Sequence, residues 1–313
     1  MIRIAAYKMP ESDALARLGS AYPLDRVEIS SFSADVYERL VTDELKGTAG
    51  TEFDLFDISF AMVESLGDRL LDLRTVVAGR PEAADPFYRG LVERLTRAGR
   101  TVAAPWRSSS YLVAYRRDLG RRLGRAPPDS IPRAIEFARA AHRELGVYGY
   151  ASAQRGSLHL ALEWLPFLWE YGGDLFQGDR VALNSPQAVD ALEAYVQLCA
   201  YAPWQSLNFE YSDPVEMLVA GQAAMIQHWC AGAAAATRPG CRRQDIGFLP
   251  GLGHSVLGGG GLGIPRERPN PEPLLAFLDW MLDPARDVQR VRLGGTSIYG
   301  ATDERLKPNP PAF

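Results

Sequence analysis

Lysine is nearly missing from this 313-residue chain: only Lys8, Lys46 and Lys307 appear among 34 cationic residues, so arginine carries the positive charge. The arginines are spread along the sequence, and against 38 carboxylates the net charge is −4. A nucleic-acid binder would show a basic excess or stripe, and neither is present. Cysteine is scarce as well. Cys199, Cys230 and Cys241 are too few for a disulfide scaffold and form no C-x-x-C pair. Cys199 falls on an apolar helical face and reads as core, whereas Cys230 and Cys241 could pair in an exported protein. The four histidines, His142, His159, His228 and His254, stand at no i, i+3 or i, i+4 spacing, so no metal cluster is expected. No apolar window reaches the roughly 18 residues of a membrane-spanning helix. Met1-Ile2-Arg3-Ile4-Ala5 runs straight into a strand-like pattern, without the charged and long apolar regions of a secretory leader. Two readings stay open on that evidence: a cytoplasmic protein, or an exported one whose leader lies outside this sequence.

What is present is ordinary globular material, 47% hydrophobic and 23% charged, which excludes wholesale disorder. The length suggests about two domains. Strand and helix alternate at the start. Ile2–Tyr7 reads as a strand, residues 11–22 as a helix, residues 27–30 as a strand, residues 37–46 as a helix and residues 53–58 as a strand. This is the pattern of βαβ units on a parallel sheet. Helices at 62–71 and 85–97 follow, then one strand at 101–106 that breaks at Pro105 and a separate one at 111–115. After a turn-rich break at 124–129 the chain reads as largely helical to about Thr237. Pro250 to Gly263 holds seven glycines in fourteen residues, which reads as neither helix nor strand. Two helices, 271–282 and 283–293, close the pattern.

Chemistry-bearing motifs are weak. Gly258 to Gly263 formally contains G-x-G-x-x-G, but Ile264-Pro265 follows where a phosphate-binding helix would have to begin. Ser108-Ser109-Ser110 lacks a nucleophile elbow, and Asp54 with Asp57 has no acid–base setting. No catalytic residue is therefore assigned, and no cofactor or metal. Aromatic residues at loops and strand ends stand out instead: Phe60, Trp106, Trp164 and Trp229. Rings stack on the C–H faces of sugars while nearby polar groups hold hydroxyls, so such rings suit a concave site; core packing is the alternative for each, preferred for Trp169 and Trp204.

Five stretches in register resemble the extracellular solute-binding proteins of ABC sugar importers. Leu165 to Phe176 with Ala182 to Val189 is similar to the stretch "LWxxGGDLF…LNSPQAVxAL". Tyr111 to Leu119 is similar to "LYYxKDL", Gly221 to Met225 with Trp229 to "GQAAM…W", Phe248 to Pro265 to "PLPG…LGGWGLGIP", and Ala276 to Thr296 to "AFLxWL…GGT". The resemblance implies an α/β, two-lobed periplasmic-binding-protein fold of class II, with a hinge and a ligand cleft. On it, lobe one is 1–112 plus 256–300, and lobe two is 113–255 plus 301–313. It implies a sugar or oligosaccharide ligand, a membrane permease as partner, a monomer, no nucleic acid, and a periplasmic or extracellular location with or without a lipid anchor.

Carried over residue by residue, the resemblance assigns Tyr7, Lys8, Asp57, Ser59, Phe60, Trp106 and Ser109 to the ligand site in lobe one. It assigns Glu163, Trp164 and Trp229 in lobe two. Gly260 stands where many relatives have a tryptophan, so a roomier pocket is expected, with Tyr299 as a ring that could swing in. The chain also ends soon after Gly294-Gly295-Thr296, which on the resemblance leaves part of the pocket open. Two alternatives use the same scaffold: an enzyme built on an activated Cys or Ser, and a sensory module that presents its closed state to a receptor.

Overall fold

The computed structural model describes residues 1–47, 51–155, 158–234, 236 and 245–300. In chain order the elements that matter are strand β1 (Ile2–Tyr7), helix α1 (Pro10–Gly19), β2 (Val27–Phe32), α2 (Ala34–Lys46), β3 (Leu55–Ser59) and β4 (Ala104–Arg116). Then come α3 (Ile131–Leu145), α4 (Leu158–Glu170), α5 (Pro186–Cys199), β5 (Met225–Trp229), β6 (Ile246–Leu249), β7 (Leu257–Gly263), α6 (Glu272–Met281) and α7 (Pro284–Arg292). The described residues divide into two compact units, Met1–Ser109 with Gly258–Gly300, and Ser110–Leu257. The expected place of 301–313 and the expected Cys230–Cys241 pairing lie outside the described residues.

In the first unit β1 pairs in parallel with β2 and β3, as the βαβ pattern predicts, and β7 runs antiparallel to β3. Strands covered on both faces must be apolar on both, and β1 shows why its sequence is IRIAAY. Ile2 and Ile4 enter one cluster with Leu15, Trp106, Phe277 and Leu278, while Ala5 faces a second with Tyr37, Val41 and Phe56. Tyr37 of α2 donates from its hydroxyl to the carbonyl oxygens of Asp57 (2.9 Å) and Ala5 (3.2 Å), pinning the helix across β1 and β3.

The glycine-rich stretch is a strand, against the sequence expectation. β7 lies between β3 and β4. A Cβ on Gly261 would stand 2.7 Å from the Ala103 Cβ and 2.8 Å from the Ala104 carbonyl oxygen. Glycine is therefore used because the neighbouring strands come too close for any side chain. The two expected strands around residue 110 are likewise one strand, β4, whose residues to Ser109 belong to the first unit and whose remainder belongs to the second. Pro105 does not break it.

The second unit is built on β4 with β5 and β6, both antiparallel to it. Residues 148 and 151 add parallel bridges to Ala223 and Ile226. Helices α3, α4 and α5 bury Phe137, Phe167, Leu168, Tyr195 and Leu198 in one cluster with Met225 and Tyr150. The helical reading of 130–237 missed β5 because MIQHW is too short to show a period of its own.

Candidate functional site

In the first unit, parallel pairing brings the carboxyl ends of β1 and β3 to one edge, and antiparallel β7 enters there with Gly260 opposite Ser59. This edge collects Tyr7, Asp57, Ser59, Phe60, Trp106 and Gly260, the kind of strand-end position where α/β sheets bind ligands. Its centre is a residue that sequence reasoning missed, Arg107. The Arg107 Nε donates to both oxygens of Asp57, at 3.1 and 3.2 Å, and the Trp106 Nε1 donates to Oδ1 at 2.9 Å. The guanidinium carbon lies 5.8 Å from the Tyr7 ring centroid and 5.6 Å from that of Trp106. Burial works against the Arg107 charge, but Asp57 and then Glu11 outweigh it and hold its pKa above the ordinary value. Burial, helped by the charges of Asp57 and Glu38, raises the Tyr7 phenol, so Tyr7 stays a neutral hydroxyl. A buried carboxylate on a strand end requires a cation close by, and that is the signal by which Arg107 could have been found.

Several expectations change here. Trp106 is fully buried in the core and its N–H is committed to Asp57, so it is a support and not a stacking platform. Tyr299 is also core: it packs on Tyr88 at 5.0 Å and donates to the Leu282 carbonyl oxygen. Gly260 does not widen anything. A Cβ there would sit 2.8 Å from Asp57 Oδ1 and from the Ile58 carbonyl oxygen, and 2.9 Å from Arg107 Nη2. The space assigned to a missing ring is occupied by the Asp57–Arg107 pair. Lys8 is exposed beside Tyr7, with its backbone N–H donating to the Phe32 carbonyl, and Ser109 is buried two residues beyond Arg107 on β4.

In the second unit, register sets Tyr111 of β4 opposite Trp229 of β5, with ring centroids 4.5 Å apart at 70°. Trp229 is half-buried. Its neighbour His228 is buried, with Nε2 2.6 Å from the Tyr211 carbonyl oxygen and Nδ1 3.2 Å from that of Trp229. Burial lowers its pKa and favours neutral imidazole. The Tyr211 ring stands on His228 at 4.5 Å, and His159 approaches Tyr211 at 5.9 Å. Tyr111, Tyr211 and His159 were not anticipated, because they come from three elements distant in sequence.

Glu163 is brought inward instead of outward. Its carboxylate accepts from Tyr150 (2.7 Å), Ser152 (2.6 Å), Tyr195 (3.2 Å) and the Ala153 N–H (3.2 Å). It ties α4 to the 150–153 segment and to α5 and is 1% exposed, so it is no ligand contact. Burial pushes its pKa up from 4.5 to about 7, against those four hydrogen bonds. The folded state therefore holds this proton more tightly than the unfolded chain. The stability it contributes is complete below pH 4.5 and is lost as pH rises to about 7, on the order of 3 kcal/mol. The unfolding free energy of the wild type relative to Glu163→Gln should fall by that amount across this window and stay level above it. A difference independent of pH between 4 and 8 would contradict the assignment.

Trp164, one residue on, lines an apolar groove with Leu183, Val189, Leu192 and Val196. The cysteine that an enzyme would need is not activated at Cys199, whose thiol burial pushes up to about 12. Among the described residues no group of three or more His, Cys, Asp or Glu could hold a metal, and no helix is long and apolar enough to cross a membrane.

Residues 11–286 match the sequence profile of the bacterial extracellular solute-binding protein family. The chain belongs to that family. A curated relative, a probable ABC transporter-binding protein of Deinococcus radiodurans, is 24% identical over 243 residues, 72% of this chain. The chain spans 57% of that relative's length. Among solved structures, maltose-bound MalE3 of T. maritima has a TM-score of 0.86 at 22% identity, covering 98% of this chain and 84% of its own. A solute-binding protein of Agrobacterium radiobacter K84 in complex with ribitol reaches 0.84 at 21% identity, covering 98% and 82%. UgpB of Mycobacterium tuberculosis with glycerophosphocholine reaches 0.79 at 19%, covering 99% and 84%. These likenesses establish the fold as the two-lobed α/β architecture of solute-binding proteins, and the family and its neighbours are transporter binding proteins, not enzymes.

Proposed function

We propose that this solute-binding protein captures a neutral polyhydroxylated solute, a sugar or sugar alcohol, and delivers it to the membrane permease of an ABC importer. The reading takes the chain as a single copy working in the periplasm or outside the cell. The observation that carries it is the half-buried Trp229 ring at the end of β5, backed by the buried Tyr111 ring of β4, in a chain of this family. The Trp229 ring offers a face for the C–H side of a sugar, and the Tyr111 ring packed against it at 70° holds it in place. The strand-end edge of the first unit, taken by itself, carries the Tyr7 hydroxyl and the Arg107 guanidinium. The solutes in the solved neighbours, maltose and ribitol, have this chemistry.

Trp229→Ala tests the reading. Against whichever of maltose, ribitol, D-mannitol and D-tagatose binds the wild type, it should lose more than about 1 kcal/mol of affinity, the scale of an aromatic contact with its buried area. Its unfolding midpoint should stay close to wild type, since the ring is only half-buried. Unchanged affinity in the folded variant would remove Trp229 from the site.

A further inference from the structure

We propose that Arg107 is the specificity-determining residue of the first unit: its guanidinium fork reads adjacent hydroxyls of a neutral solute, and Asp57 is the positioning residue that aims it. The inference rests on the solute-capture reading above and adds the substrate feature that is read.

Only Nε of Arg107 faces the Asp57 carboxylate. No described residue hydrogen-bonds either Nη, and neither is among the side-chain nitrogens sealed from solvent without a partner. A guanidinium presents five N–H donors in a fixed plane, so with Nε committed, four remain in a rigid fork. Tyr7 and Trp106 hold that plane from their rings, and Asp57 fixes its rotation. With 7% of the residue exposed, the fork reaches solvent only at its tip. Two parallel donors so held match two acceptors on neighbouring carbons better than a single hydroxyl.

Charge then chooses between the two ligand chemistries a guanidinium fork recognises, an anion and a vicinal diol. Asp57 neutralises Arg107 across the direct contact, and Glu11 also acts on the Arg107 charge. A carboxylate or phosphate brought to the fork therefore meets no net positive charge to offset its desolvation, whereas hydroxyl oxygens accept from the fork without that cost. Glycine at 260 leaves the fork its place, because a Cβ there would stand 2.9 Å from Nη2.

The test is calorimetric titration of the whole chain with neutral and acidic members of matched pairs: ribitol and D-ribonate, D-mannitol and D-mannonate, maltose and maltobionate. The wild type should bind at least one neutral member, ten times or more tighter than its acid. Arg107→Lys keeps the charge and removes the fork, and should weaken that neutral ligand at least tenfold. Asp57→Asn keeps an acceptor for the Trp106 N–H but removes a negative charge. It should shift the neutral-to-acid preference at least tenfold toward the acid, a change that a purely structural role would not produce. Thermal midpoints run alongside, and where Arg107→Lys does not fold, the preference shift in Asp57→Asn decides. Folded Arg107→Lys with affinity within threefold of wild type, an unmoved preference in Asp57→Asn, or wild-type preference for an acid overturns the assignment to Arg107 and leaves solute capture standing. Binding of no member of any pair overturns the capture reading itself, and the role of Arg107 with it.

Discussion

Asp57→Ala is expected to destabilise the protein by about 3–5 kcal/mol, the cost of removing one partner from a buried ion pair. The size follows from what is left behind. Arg107, 7% exposed, would lose the carboxylate its Nε donates to, and the Trp106 Nε1, in a fully buried ring, would lose its acceptor. An unsatisfied buried donor by itself costs about 1–3 kcal/mol. The double change Asp57→Leu with Arg107→Met should recover part of the loss, because it removes both charges together while the Trp106 Nε1 still lacks its acceptor. Urea unfolding of the two variants checks both statements. A loss below about 1 kcal/mol in Asp57→Ala would mean that the pair is solvated and that the edge of the first sheet is not organised around it.

Gly260→Trp should be the most damaging way to bring this chain closer to its relatives. On sequence alone, glycine at this position reads as a vacated wall that a tryptophan would refill. In the structure the first atom of any side chain already stands 2.8–2.9 Å from Asp57 Oδ1, the Ile58 carbonyl oxygen and Arg107 Nη2. Overpacking a close-packed interior costs about 1–3 kcal/mol, and here a ring must also separate the buried pair, so a loss beyond about 3 kcal/mol is expected. Gly260→Ala should lie at the lower end of that scale. The measurement is the urea midpoint at unchanged slope. A Gly260→Trp protein as stable as wild type would show that the pair yields easily and that the roomy-pocket expectation was sound.

These two positions also show what can be read from the sequence and where reading stops. The strands β1 and β3 and the helix after β1 were legible, because their signals are local: an apolar run, then a helical period starting near Pro10. The positions of Tyr7, Ser59 and Phe60 at strand ends followed from the same signals and the resemblance. Arg107 was not legible, since its meaning depends on Asp57 fifty residues earlier and on a strand pairing that puts β7 beside β3. For the same reason the glycines of β7 looked like a loop. Their cause lies in Ala104 and Ile58 on neighbouring strands and in Ala103 just before β4, not in the stretch itself. Trp106 and Trp229 illustrate the limit for aromatics. Both follow a strand-like run, yet one is fully buried and the other half-open, and only the partner strand decides which.

The most direct test of solute capture is calorimetric titration of the wild-type chain with maltose, ribitol, D-mannitol and D-tagatose, with thermal unfolding followed in parallel. Capture predicts saturable one-site binding of at least one of them, with a negative heat-capacity change as rings and C–H faces leave water. It also predicts an unfolding midpoint that rises with ligand concentration by mass action. Flat titrations and unmoved midpoints across the whole set, at concentrations into the millimolar range, would contradict it.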